Sequence, residues 1–332
     1  MSTIPTTAQA WRFPPDQTSW NGHKSLELRE VKITPPKQGE VLVKLHAAAL
    51  NYRVCTVKYT HDSSIFSSAV TRRNQPLSVR AESRLVVAVG EGVTQWKKGD
   101  RVHSLFFETW FDGPNQDEHM PFTVGGEAAT IPCAALTAWH SFFEKRPITK
   151  DSTVLVLGSG GVSVFGAQLA KAAGARVIAT TSSKEKAAKY KDLGVDEIIN
   201  YREVPEWSSK VKELTGGKGV EQVLEVGGQG TLMQSLKSVK REGSVHVIGA
   251  VAQGNPGSET LQDLAKTVLF GQISVIGILV GNKAMCERLD AFMAEHKIKP
   301  VIDRVFGWSE VVDALDYQLS GSHFGKIVIK ID

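Results

Sequence analysis

The stretch Val154–Gly166, VLVLGSGGVSVFG, constrains this chain more than any other. Four apolar residues end in a glycine-rich turn, and the turn runs straight into the helix-forming QLAKAAGA. A strand, a tight glycine turn and a helix whose first N–H groups face outward form a bed for the phosphates of a dinucleotide. Gly158, Ser159, Gly160, Gly161 and Val162 form that bed, and Gly166 sits where the helix must approach the sheet closely. Ser163 stands where a third loop glycine is common, so the match to G-x-G-x-x-G is imperfect. A glycine cluster alone is also read as a steric turn. This one opens a longer alternation. Strands are predicted at 153–157, 176–180, 197–200, 222–226, 244–248 and 274–278. Helices at 162–173, 184–193 and 232–239 fall between them. Such alternation predicts a doubly wound parallel sheet with helices on both faces.

The end of the second strand reads VIATTSSKEK. A carboxylate there binds the ribose hydroxyls of NAD. Here Ser182, Ser183, Lys184 and Lys186 offer hydroxyls and ammonium groups instead, which suits a 2′-phosphate and hence NADPH. Glu185, between the lysines, is read as pointing away on the helix. The plainer reading is a Ser N-cap followed by a solvated helical turn, and the two readings are compatible.

Before Ile131 the texture differs. VLVKLHAAAL from Val41 reads as a strand, LVVAVGEGVTQWKKGDRV as two strands around a turn, and the polar segment 63–84 as a loop. The chain therefore divides into a β-rich domain, 1–130, to which 295–332 returns, and a dinucleotide-binding domain, 131–294. Helices are predicted around Met285–Met293 and Val311–Leu319. A last strand, 326–331, pairs back with the N-terminal domain.

Composition narrows the partners. A net charge of +4 with scattered Lys and Arg gives no basic patch for nucleic acid. No apolar run reaches the roughly 18 residues that span a membrane. The start, MSTIPTTAQAWRF, has no basic segment followed by an apolar core, so no secretory signal is predicted. Three scattered cysteines, Cys55, Cys133 and Cys286, make neither a metal spacing nor a disulfide framework, and predict a reduced, cytoplasmic setting. Cys133 is read as buried packing.

Several segments together carry a resemblance: AALNYR, VVAVGEGVTQWKKGDRV, AATIPCAALTAWHSFF, the glycine loop with its helix, LGVDEIINYRE, GVEQVLEVGGQGTL, and IKPVIDRVF with SGSHFGKIVI. The chain resembles the zinc-independent, quinone-oxidoreductase-like branch of the medium-chain dehydrogenase/reductase superfamily. The resemblance implies a GroES-like catalytic domain, a Rossmann domain and an active site in the cleft between them. It implies that Ser182, Lys186 and Tyr201 hold the 2′-phosphate of NADPH. It also implies that Gly249, Leu279 and Val280 lie beside the nicotinamide. His323 lines the cofactor cleft or caps the preceding helix, with Gly325 as its turn.

Zinc-dependent relatives place a Cys or His near AALNYR and a Gly-His-Glu further on. Here Asn51 and Arg80-Ala81-Glu82 stand there, so no metal is expected. Hydrogen-bond donors must then polarise the substrate, and Asn51 and Tyr52 are the candidates. Their plainer roles are turn former and buried wall residue. Two departures from the family pattern touch the N-terminal domain. PLSVRAESRLVVAVGEGV lacks the usual glycines, and Glu127 is joined directly to Ala128, which leaves that domain shortened.

The expectation is an NADPH-dependent reductase of a carbonyl or activated C=C in a small apolar molecule, enone or quinone before alcohol. The alternative is a non-catalytic NADPH-binding protein with an eroded catalytic domain. A homodimer paired through the edge strand near 271–279 is a further family expectation.

Overall fold

The computed structural model describes residues 4–51, 64–67, 69–73, 77–79, 84–107, 109–117, 130–249 and 260–331. Tyr52, Arg80-Ala81-Glu82 and the Glu127–Ala128 junction lie outside the described residues. Contacts divide the chain into two units: Met1–Ala134, Gly281–Ala291 and Ile302–Asp332 form the first, Ala135–Val280 and Phe292–Val301 the second.

The first unit is β-rich. Its early strands are β1 (Thr7–Arg12), β2 (Glu27–Lys32), β3 (Glu40–Leu45), β4 (Ala47–Ala49), β5 (Ser64–Ser67), β6 (Ala69–Arg73), β7 (Leu77–Val79), β8 (Arg84–Val89) and β9 (Val102–Ser104). All but β4 lie in small sheets ordered β2-β1-β5, β6-β3-β8 and β7-β9. Two expectations are corrected here. VLVKLHAAAL is not one strand: it breaks at His46, so that β3 and β4 serve different sheets. Within 63–84 the described residues are strand, not loop, and β6 pairs antiparallel with β3 from Glu40↔Arg73 to Lys44↔Ala69. An edge strand takes its ladder from the apolar strand beside it, so its own residues need not show a strand pattern.

The second unit carries the alternation. Its strands are β10 (Thr153–Val156), β11 (Arg176–Thr181), β12 (Glu197–Asn200), β13 (Val220–Glu225), β14 (Val239–Val247) and β15 (Ser274–Gly277). All pair in parallel, in the order β12-β11-β10-β13-β14-β15. That is the 3-2-1-4-5-6 order of the dinucleotide-binding fold. Its helices are α1 (Leu136–Trp139), α2 (Gly161–Ala172), α3 (Lys184–Asp192), α4 (Trp207–Leu214), α5 (Leu232–Ser238) and α6 (Leu261–Gly271). Val154, Leu155, Val156, Val177 and Ile178 are wholly buried, as expected where helices cover both faces of a sheet. Burying each such side chain stabilises by about 1.5–3 kcal/mol. β14 starts five residues before the predicted strand, at Val239; Glu242, at φ 60°, interrupts the apolar pattern there.

Helix α2 ends on a glycine turn. Gly174 takes φ 82°, its N–H reaches Lys171 O and that of Ala175 reaches Ala170 O, which satisfies the last helical carbonyls. The chain closes with α7 (Lys283–Glu295), β16 (Ile302–Phe306), α8 (Val311–Leu319) and β17 (Lys326–Lys330). β17 pairs with β4 from Val328↔Ala49 to Lys330↔Ala47, as the sequence predicts. The turn after α8 uses Gly321, at φ 64°, not Gly325. Each unit has its own apolar core, one around Val41, Leu45, Phe306 and Ile329, the other around Leu155, Ile178, Val223 and Val245. Among the described residues no helix is long and apolar enough to cross a membrane.

Candidate functional site

The glycine loop is built to leave room above it. Gly158 sits at φ 71°, and a Cβ on Gly158 or Gly160 would meet nothing within 4 Å. Gly160 is the N-cap of the twelve-residue α2, and no side chain caps it. The first-turn N–H groups and the positive end of the helix dipole therefore remain available to a diphosphate. At Gly166 the reason is different: a Cβ there would stand 2.4 Å from Leu224 Cδ1. Ser163, in the glycine position, is buried and donates its hydroxyl to Leu157 O at 2.5 Å. The loop keeps its shape without the third glycine.

Three supports escaped the sequence reading. Tyr190, fully buried on α3, donates to Gly158 O at 2.7 Å, and burial raises its phenol far above the usual range. Thr180 Oγ1 accepts from Gly158 N at 3.2 Å. Glu225, at the end of β13 and wholly buried, accepts from Gly227 N, Gly228 N and Thr231 Oγ1 at 2.6–2.8 Å and also from Ser235 Oγ. Three of these donors converge on Oε1 and the Ser235 hydroxyl bonds Oε2, so both oxygens of this buried carboxyl group have hydrogen-bond partners. Gly249 packs onto the same turn, where a Cβ would meet Val226 O at 2.3 Å.

At the end of β11 the pairing Thr181↔Asn200 brings Ser182 and Tyr201 to neighbouring strand ends, and Tyr201 N–H reaches Thr181 O at 3.0 Å. Tyr201 is exposed; Ser182 and Lys186 are half-buried. Ser183 caps α3 by accepting from Lys186 N at 3.3 Å. Glu185 does not point away: its carboxylate turns back onto the Ser183 hydroxyl, which lowers its pKa. A residue two positions past an N-cap reaches the capping side chain easily, which the helical period alone does not reveal.

After β15, Leu279 is exposed and Val280 is buried at φ 47°. A β-branched residue in the left-handed region is strained by about 1–3 kcal/mol. His140 Nδ1 donates to Val280 O at 3.0 Å and so helps to hold it there; burial lowers the pKa of this imidazole.

In the first unit, β17 delivers the ammonium of Lys326, which is buried. Lys326 Nζ donates to Asn51 Oδ1 at 2.7 Å and to Leu50 O. Burial lowers its pKa to about 8. Sequence reasoning missed this lysine, because Lys326 and Asn51 are 275 positions apart. His323 is half-buried in the turn that leads to β17, and Cys133 is half-buried in the helical segment Ile131–Ala135.

The glycine loop, the strand order and the two units find counterparts in known proteins. A zinc-type alcohol dehydrogenase-like protein of Schizosaccharomyces pombe is 35% identical, over 91% of this chain and 92% of its own. The chain belongs to the medium-chain dehydrogenase/reductase superfamily. Residues 161–295 match the zinc-binding dehydrogenase family. A 2-methylene-furan-3-one reductase of Solanum lycopersicum is 31% identical over 98% of this chain and 80% of its own. The crystal structure of a putative alcohol dehydrogenase from Sinorhizobium meliloti superposes with TM-score 0.81 at 31% identity, covering 99% of this chain and all of that one. This medium-chain reductase fold combines a Rossmann domain with a GroES-like domain, and the protein is an oxidoreductase.

The zinc in the matched family's description does not fit at Asn51. A neutral amide offers a poor ligand to a dication. The Asn51 amide oxygen already holds an ammonium ion, whose charge repels a second cation.

Proposed function

We propose that this protein is a zinc-independent, NADPH-dependent reductase of a carbonyl or activated C=C bond in a small apolar substrate. The observation that carries the reading is the Lys326–Asn51 bond, a cation and an amide where a metal-dependent relative needs a ligand. NADPH supplies the hydride. The N–H groups of Gly160, Gly161 and Val162 bind its diphosphate, with Gly158 and Ser159 shaping the turn. Ser182, Lys186 and Tyr201 hold the 2′-phosphate by charge-assisted hydrogen bonds. Gly249, Leu279, Val280 and His323 border the nicotinamide, and the strained Val280 backbone supports that assignment.

Asn51 and Tyr52 act as donors to the oxygen on which charge develops. The Lys326 ammonium ties up the amide oxygen of Asn51, which leaves the two amide hydrogens to face a substrate, and its charge favours a nearby oxyanion. Solvent returns the proton. The likeness to a reductase named for a conjugated ketone supports an enone among the substrates. Steady-state assays with an enone, a quinone and a primary alcohol test the reading. Turnover of the first or second with NADPH is expected, turnover of the alcohol alone defeats it, and binding without hydride transfer favours the non-catalytic alternative.

The open edge strand β15 also supports a homodimer, since Leu269, Phe270 and Val275 are exposed on and beside it. Sedimentation as a monomer at micromolar concentration would remove that assignment.

A further inference from the structure

Three potential ligand groups converge in the first unit. His103 stands on β9, and Cys286 and Asp290 stand one turn apart on α7. Their ligand atoms all lie within 4.8 Å of one another. His103 and Cys286 are buried, while the Asp290 side chain retains 14% exposure. His103 Nε2 and Asp290 Oδ2 are 3.4 Å apart, long for a charge-assisted hydrogen bond. That separation equals the edge of a tetrahedron with bonds of about 2.0–2.1 Å, roughly 3.3–3.4 Å.

The surroundings hold the arrangement in place. Helix α7 begins at Lys283, and its first N–H groups are taken by the loop that follows β9: Lys283 N by Trp110 O and Ala284 N by Phe111 O. Asn282 caps the helix by accepting from Met285 N at 2.8 Å and ties it to the same loop by donating to Gly113 O. Cys286 and Asp290, four residues apart, share one face of the helix.

We propose that His103, Cys286 and Asp290 form a zinc site that clamps strand β9 to helix α7. A thiolate, an imidazole and a carboxylate are the donors that zinc prefers among the divalent ions. Binding exchanges the Cys286 thiol proton for the metal, and no electron moves. Thiolate, carboxylate and Zn²⁺ then sum to zero charge, which suits a buried place better than any partly charged combination. The Asp290 edge is the path by which the ion enters and a water completes the tetrahedron.

Metal analysis and cobalt replacement test the site on the full chain. Protein reloaded with zinc after chelation retains one equivalent through gel filtration. The cobalt form shows a thiolate-to-cobalt charge-transfer band in the near ultraviolet, with intense tetrahedral d–d bands in the visible. Cys286→Ser abolishes the charge-transfer band, and the paired substitution of Cys55 and Cys133 to Ser keeps it. Asp290→Asn keeps the band but weakens cobalt binding at least about tenfold, a readout that remains should Cys286→Ser fail to fold. A wild-type chain with no thiolate band, or a band that survives Cys286→Ser, overturns the proposal.

Discussion

Replacing Lys326 with Met lowers kcat for the reduced substrate by roughly 100-fold, with NADPH affinity unchanged. The size follows from the loss of one organised donor at a developing oxyanion, about 10²–10³ in kcat. Without the ammonium, Asn51 Oδ1 loses its partner and the amide is free to present either end to the substrate. Asn51→Ala falls by a similar factor, and the double variant falls little further, because the two side chains act as a unit. If Lys326 were only structural, kcat and nucleotide binding would change together or neither would change.

A pH readout separates the charge from the packing. The folded pKa of Lys326, about 8, lies below the roughly 10.4 of an unfolded chain. Between those values the unfolded state binds the extra proton, so the lysine's contribution makes the fold more stable as pH rises from about 8 to 10.4. Below about 8 the buried ammonium costs stability, on the order of 3 kcal/mol. The Met variant lacks this alkaline gain. Its rate likewise lacks the decline that wild type shows above about pH 8, where the Asn51 amide loses its charged donor. A wild-type rate that stays flat through pH 9 would remove Lys326 from the mechanism.

Lys186→Ala weakens NADPH binding by about 10–100-fold and leaves NADH unchanged, measured by nicotinamide fluorescence. One charge-assisted bond to a phosphate contributes about 1.5–3 kcal/mol, which sets that range. Glu185→Gln moves the other way. Its carboxylate, drawn onto Ser183, places a negative charge beside the proposed 2′-phosphate site, and removing it tightens NADPH roughly 2–5-fold. Equal weakening of both nucleotides by Lys186→Ala would move the lysine away from the 2′-phosphate. Loss of neither would leave Ser183 and Lys186 as no more than the cap of α3.

Local signals determined the Rossmann half. β10, β11 and β12 begin at the residues where apolar runs predict them, and α2 and α3 follow with bounds shifted by one residue. A strand buried on both faces must be apolar throughout, and a helix between strands must repeat every 3.6 residues, so both leave their mark in a short window. Gly158 and Gly166 were legible for the same reason. Each answers a local steric demand, a positive φ in one case and a neighbouring strand in the other.

Tertiary structure alone decided the strand pairings of the first unit and the distant partners of buried polar groups in both units. β6 is a strand because β3 lies beside it, and VLVKLHAAAL splits because its two halves pair in different sheets. Tyr190 supports Gly158 from 32 positions away, Lys326 meets Asn51 across 275, and His103 meets Asp290 across 187. No periodicity links such partners. The energy of a buried cation or a ligand cluster depends on which groups the fold places within about 3–4 Å, and a linear pattern carries no record of that distance.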